Sequence, residues 1–198
     1  MRYVIMADGK GSRWNNYMGL DKHEIRIGGE TLLRRTVRLL HGLDDAAEVI
    51  ITSHNPALDT EGALRFEPAN NVLEIDRFTA ELVRDDMCFL YGDVFYEEET
   101  LRTVTEHRGS RPLLFFGNDS SICAVLIGSA EVFMAAFNAV RARAASGELP
   151  QSKGWQLYHQ YTGMPLEGKA IGGHFIRVGS STRDFNSPED YRAFADEN

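Results

Sequence analysis

Tyr3-Val4-Ile5-Met6-Ala7-Asp8-Gly9-Lys10-Gly11-Ser12-Arg13-Trp14 is an apolar run that breaks abruptly into a glycine-rich, charged loop. The run 3–7 reads as a buried strand, and glycines directly after a strand let backbone N–H groups turn toward an anion. Apolar runs at 48–52, 87–91, 112–116, 123–127 and 174–178 read the same way. Between them lie helical patterns at 31–40, 72–83, 97–107, 130–145 and 188–195. In the first, Leu32, Leu33, Val37, Leu39 and Leu40 share one side while Arg34, Arg35 and Arg38 take the other, the stripe of a helix lying on a core. Strands alternating with helices predict an α/β fold, three layers α/β/α around a mostly parallel, mixed sheet. Such sheets bind ligands beyond the carboxyl ends of their strands, so the residues just after each strand carry the functional reading. With no internal repeat, linker or low-complexity tract, 1–198 reads as one domain.

Composition bounds the partners. The chain has 198 residues, 29 acidic against 21 basic, with a net charge of −8. That length buries roughly 70% of the unfolded surface. An acidic balance is a poor match to a phosphate backbone, which excludes nucleic acid as the expected partner. The apolar start is shorter than the roughly 7–15 residues of a secretory core segment, and no stretch approaches the ~20 of a membrane span. A cytoplasmic protein without membrane contact, monomeric or homodimeric, is the expectation. Cys88 and Cys123 sit inside apolar runs, which predicts buried free thiols; two cysteines without nearby histidines make no zinc site.

Three phosphate-binding readings compete for the loop after the first strand. A P-loop requires Ser or Thr after its Gly-Lys, and Gly11 stands there instead. A dinucleotide fingerprint requires a third glycine where Trp14 stands, and an acid after the second strand, which ends Thr52-Ser53-His54-Asn55. The third reading is a nucleotidyltransferase loop whose arginine contacts a triphosphate. The next residues support it: Gly19-Leu20-Asp21-Lys22-His23 leads to Gly28-Gly29-Glu30-Thr31-Leu32-Leu33.

Together these motifs resemble the nucleotidyltransferase superfamily, which includes sugar-1-phosphate nucleotidyltransferases and phosphocholine or polyol-phosphate cytidylyltransferases. Ala7, Gly9, Gly11, Ser12 and Arg13 match the family's A-x-G-x-G-[ST]-R loop, Lys22 its lysine, and Gly29, Leu32 and Leu33 its G-x-x-L-L helix start. Asp8 replaces a small loop residue, and Asp21 replaces the proline that commonly precedes the lysine. The resemblance implies a Rossmann-like, GT-A-like nucleotide-diphospho-sugar transferase architecture. It also implies a metal-dependent transfer from a nucleoside triphosphate to a phosphorylated small molecule, with pyrophosphate released, as in the making of polysaccharide or lipid precursors. On this reading Ala7, Asp8, Gly9, Gly11, Ser12 and Arg13 bind nucleotide, and Arg13 and Lys22 are the catalytic cations.

The run 87–91 continues Gly92-Asp93-Val94-Phe95, an acid at the sheet's ligand edge. It either caps the next turn or, as the resemblance implies, holds Mg²⁺ or Mn²⁺, ions satisfied by one or two carboxylates plus substrate phosphates. Asp184-Phe185-Asn186-Ser187-Pro188-Glu189-Asp190 resembles the family's closing motif. Capping and the helix dipole explain Ser187, Pro188, Glu189 and Asp190 but not Asp184, which becomes the second metal ligand. Asn71, in Glu67-Pro68-Ala69-Asn70-Asn71-Val72, resembles a segment near the nucleotide base, while Asn70 reads equally as a helix cap. Lys153, Trp155, Tyr158 and His174 are candidates for an acceptor pocket, where an aromatic over a choline-like cation would make a cation–π contact; plain packing competes for Trp155 and Tyr158. Two other functions stay open. A nucleotide-sugar-dependent glycosyltransferase would usually carry D-x-D where Asp93-Val94-Phe95 stands. A non-catalytic nucleotide-binding regulator is the other, suggested by Asp8 and Asp21.

Overall fold

The computed structural model describes residues 1–9, 11, 13–14 and 17–197, with side chains as far as 195. The described elements run β1 (Arg2–Met6), β2 (Arg26–Ile27), β3 (Glu30–Thr31), α1 (Leu32–Leu43), β4 (Glu48–Thr52), β5 (Leu64–Phe66), β6 (Met87–Tyr91), β7 (Val94–Phe95), α2 (Glu98–Glu106), β8 (Leu113–Gly117), β9 (Ile122–Ile127), α3 (Ala130–Ala145), α4 (Gly154–Thr162), β10 (Phe175–Arg177), β11 (Arg183–Asp184) and α5 (Pro188–Glu197).

The main sheet has the order β10-β8-β9-β6-β1-β4-β5. Strands β1, β4, β5 and β6 are mutually parallel where they pair, β10 is parallel to β8, and β9 runs antiparallel to both its neighbours. Alternation along β1 divides the core. Tyr3 and Ile5 face α1 and α2 through Leu33, Val37, Leu40, Leu101 and Val104. Val4 and Met6 face α3 and α4 through Phe133, Phe137, Val140, Leu157 and Tyr158. The result is the mostly parallel, three-layer α/β fold read from the sequence. Both cysteines are buried free thiols, and burial pushes Cys123 up to about 12.

Some expectations fail in instructive ways. The segment 72–83 is not an α-helix but two short 3-10 turns, at Glu74–Arg77 and Ala80–Leu82. The buried Asp76 carboxylate accepts from the N–H groups of Val72 and Leu73, at 3.3 and 2.9 Å, and from Arg141 Nε at 2.7 Å. It thereby closes a turn where a helix would have continued, and Asn70, the proposed cap, is exposed. Residues 154–162 form α4, most of which is buried. His107 is half-buried with its Nδ1 2.8 Å from Thr103 O and its ring edge-on to Phe116. Among the described residues no helix is long and apolar enough to cross a membrane.

Candidate active site

A cleft of about 530 Å³ opens beyond the carboxyl ends of β1 and β6. Ala7 closes the strand that leads to it, its N–H donating to Thr52 O at 3.0 Å. That donor is spent within the sheet, so Ala7 ends β1 and brings no free N–H to the loop. Gly11 takes φ +56°, a conformation costly for residues with a Cβ. Ser12, also read as nucleotide-binding, lies outside the described residues. Trp14 is buried, its Nε1 donating to Leu20 O at 3.0 Å. It packs with Ile25, Leu32, Phe185 and Phe194, so it ends the loop by burial where a dinucleotide loop would have its third glycine.

Asp8 turns away from the cleft. Its Oδ1 accepts from the His54 N–H at 3.0 Å, its Oδ2 lies 2.9 Å from His54 Nδ1, and Asn71 Nδ2 donates to its Oδ2 at 2.6 Å and to its carbonyl at 2.8 Å. The loop is thus tied to the end of β4 and to the 70–71 segment, bringing two of the predicted nucleotide residues together.

Lys22 is buried in a short turn whose geometry Asp21 sets. Asp21 Oδ1 accepts from the His23 N–H at 2.9 Å and lies 2.6 Å from His23 Nδ1, while the Asp21 N–H donates to Glu24 Oε2 at 3.0 Å. Asp21 therefore works as a cap in the position of the usual proline. From that turn Lys22 Nζ forms an ion pair with the buried Asp93 carboxylate. Burial pushes the Asp93 carboxyl up, but the Lys22 and His23 charges and the Lys22 hydrogen bond outweigh it, and the group ends below the usual carboxylate range.

Asp93 reaches this place because Gly92 lets the chain cross the end of β1. The Gly92 N–H donates to Met6 O at 2.9 Å, and a Cβ on Gly92 would sit 2.8 Å from that oxygen and 3.2 Å from Ala7 Cβ. The adjoining β7 then pairs antiparallel with β11, Asp184 opposite Val94, and the Phe185 N–H donates to Asp93 O at 2.8 Å. This two-stranded ribbon sets Asp184 beside Asp93 at the cleft. Burial, then the Asp93 charge, raises Asp184 above the ordinary aspartate range. Asn186 donates to Asp184 and accepts from Arg13 Nη2 at 2.7 Å, which hangs the loop arginine on the same cluster. The end motif caps α5 as anticipated: Asp190 Oδ2 accepts from the N–H groups of Asn186 and Ser187 and from Ser187 Oγ, at 2.8–3.0 Å.

Arg77 is a site residue that the sequence reading missed. Its guanidinium lies 3.5 Å from where a Gly9 Cβ would stand, with Lys22 Nζ at 3.7 Å from the same point. Two cations therefore face Gly9, and Arg13 of the loop itself also lines the cleft. Arg77 belongs to the segment read as an amphipathic helix, where an arginine passes for a solvated residue. Of the acceptor candidates, Lys153 and Trp155 line the cleft. Tyr158 does not: it is fully buried in the core, its hydroxyl donating to Gly173 O and accepting from the Gly172 N–H. His174 is half-buried, edge-on to Tyr161, and does not line the cleft.

The sheet order and the three-layer α/β architecture are those of several solved structures. No family model matches the chain, and no curated protein matches it in sequence; the likeness is to solved structures. A nucleoside-diphosphate-sugar pyrophosphorylase from Vibrio cholerae RC9 aligns over 98% of this chain and 99% of its own, with TM-score 0.64 and 13% identity. CTP:phosphocholine cytidylyltransferase from Streptococcus pneumoniae aligns over 99% and 98%, with TM-score 0.62 and 11% identity. The 2-C-methyl-D-erythritol 4-phosphate cytidylyltransferase from Thermus thermophilus aligns over 98% and 97%, with TM-score 0.58 and 16% identity.

Proposed function

We propose that the protein is a nucleotidyltransferase that couples a nucleoside triphosphate to a phosphorylated small molecule and releases pyrophosphate. The observation that carries this reading is the convergence of Asp93, Asp184, Arg13 and Arg77 on one cleft at the carboxyl ends of β1 and β6, with Lys22 paired to Asp93 and Gly9 against Arg77. The fold neighbours named for cytidylyl transfer support the reaction class.

In this reaction an oxygen of the acceptor phosphate attacks the α-phosphorus of the nucleotide. The bond from that phosphorus to the bridging oxygen breaks, and pyrophosphate carries the electron pair away. No bond to the protein forms, so the residues work by position and charge. The backbone at Gly9 and Gly11 leaves room for the phosphates to approach. Lys22 keeps two N–H donors beyond the one given to Asp93, which suits a point charge at the α-phosphate. Arg13, whose fork gives one arm to Asn186, offers the others to the leaving pyrophosphate.

The residues fit a divalent cation. Asp93 and Asp184 lie on paired segments, and the charge of the first raises the proton affinity of the second, a repulsion that a cation between them relieves. Two carboxylates plus substrate phosphates are a sufficient oxygen set for such an ion. Bound Mg²⁺ or Mn²⁺ supplies charge neutralisation on the transferring phosphates.

The test is pyrophosphate release, measured with each common nucleoside triphosphate, Mg²⁺ and a panel of phosphorylated acceptors. Asp93→Ala is expected to lower it by at least about 10²-fold while leaving the far-ultraviolet circular dichroism unchanged. Undiminished turnover in that variant removes Asp93 from the reaction. Release of a nucleoside phosphate from a nucleotide sugar, with no pyrophosphate from any triphosphate, replaces the reading with glycosyl transfer.

A further inference from the structure

Among the described residues lining the cleft there are as many acids as bases, so its overall charge selects no ligand; the placement of single groups does. Over Gly9, Arg77 Cζ and Nη2 each stand 3.5 Å from the place a Cβ would take, and Lys22 Nζ stands 3.7 Å from it. Gly9 leaves that place open, and two cations border it.

The two differ in what they already hold. Lys22 is in an ion pair with Asp93. The Arg77 guanidinium makes no hydrogen bond among the described residues, and the carboxylate beside it, Glu74 Oε1, is 3.9 Å from its Nη2 and equally far from Lys153 Nζ. By contrast Arg13 donates to Asn186, and Lys169 to Ser120. Arg77 therefore keeps the five N–H donors of its fork.

The backbone that carries Arg77 is nevertheless held on several sides. Asp76 ties the turn to Arg141 of α3 and to the N–H groups of Val72 and Leu73. The Ile75 N–H donates to Ser152 Oγ at 3.3 Å, and the Phe78 N–H to Ile75 O at 3.0 Å. An arginine with unspent donors on a fixed turn loses little freedom when it grips an anion.

We propose that Arg77 is a catalytic residue: it donates to a non-bridging oxygen of the α-phosphate lying over Gly9, and shares with Lys22 the charge that builds there as the acceptor oxygen attacks. This rests on the nucleotidyltransferase reading and on the place of Lys22 within it. The bonds made and broken are those already given, and Arg77 gives up no proton. Its planar fork spans phosphate oxygens in a way that the point charge of Lys22 does not.

The experiment compares the parent with Arg77→Ala and Arg77→Lys, as whole proteins with Mg²⁺, in binding of a non-hydrolysable triphosphate and in pyrophosphate release. Arg77→Ala is expected to weaken triphosphate binding by about tenfold or more and to lower kcat/KM at least as far, with Arg77→Lys between it and the parent. Sub-denaturing guanidinium chloride, set against sodium chloride at equal ionic strength, is expected to restore binding and release to Arg77→Ala without raising those of the parent. A purely structural role of Arg77 would give no such rescue. Arg77→Gln, which keeps the stem, carries the same test if Arg77→Ala does not fold. Triphosphate binding and release equal to the parent's, or a loss that guanidinium does not restore, overturns the proposal and leaves the nucleotidyltransferase reading standing. A parent that neither binds triphosphate nor releases pyrophosphate overturns that reading, and the proposal with it.

Discussion

A carboxylate about 4 Å from a phosphate charge costs about 1 kcal/mol in water and several times more in a drier site. Asp8 escapes that cost by turning its side chain to His54 and Asn71, so the acid that looked incompatible with a triphosphate becomes a tie between three segments. Asp21 is a second acid with a structural task. Burial pushes its carboxyl up, but the His23 hydrogen bonds and charge outweigh this and hold it below the usual range. A depressed carboxyl contributes stability above the unfolded value of about 3.9 and loses it as pH falls through the lower folded value. Asp21→Asn, which keeps a capping oxygen but removes the charge, is therefore expected to lower stability at pH 7, with the gap to the parent closing once the pH drops below that of an ordinary aspartate. Urea denaturation of both proteins across the acid range checks it, and a gap independent of pH would show that the charge of Asp21 contributes nothing.

At the level of elements, Gly92 shows how a strand end becomes a site. Its Cα hydrogen faces Met6 O, and an added methyl would press on backbone. Gly92→Ala is expected to cost about 1–3 kcal/mol of stability and to weaken triphosphate binding by displacing Asp93 from Lys22; calorimetry and denaturant titration separate the two effects. The strands at 3–7, 48–52, 87–91, 112–116 and 123–127 were legible, because burial on both faces leaves a continuous apolar run, while the edge strand at 174–178 is only half-buried. The reading of 72–83 failed because Ile75, Phe78 and Leu82 are spaced like a helix stripe while Asp76, a buried acid, diverts the backbone. Arg77 was lost with it. The partnership of Asp93 with Asp184 was carried over from a family likeness; their contact runs through strands of two residues each, too short to leave any periodicity. Tyr158, for which packing already competed, lies in the core, and an aromatic on α4 reads the same in sequence whether it faces a cleft or a core.

Across the whole molecule, the Trp14 cluster joins the glycine-rich loop near one end of the chain to α5 near the other. Phe185 is fully buried there, with Tyr191 and Phe194 edge-on around it. Phe185→Ala is expected to cost about 3–5 kcal/mol and to speed amide exchange in β7 and β11 ahead of the central strands; uniform exchange across the sheet would show that the ribbon does not open separately. The same ribbon governs timing during synthesis. Its two acids are about ninety residues apart, so at about 5–20 residues per second the ribosome delivers Asp93 roughly 5–18 s before Asp184. Strands β1, β4 and β6 are complete well before that, and the nascent sheet can assemble without its second acid. Translation therefore delivers Asp184 to the cleft only after the strands that carry Asp93 have been made.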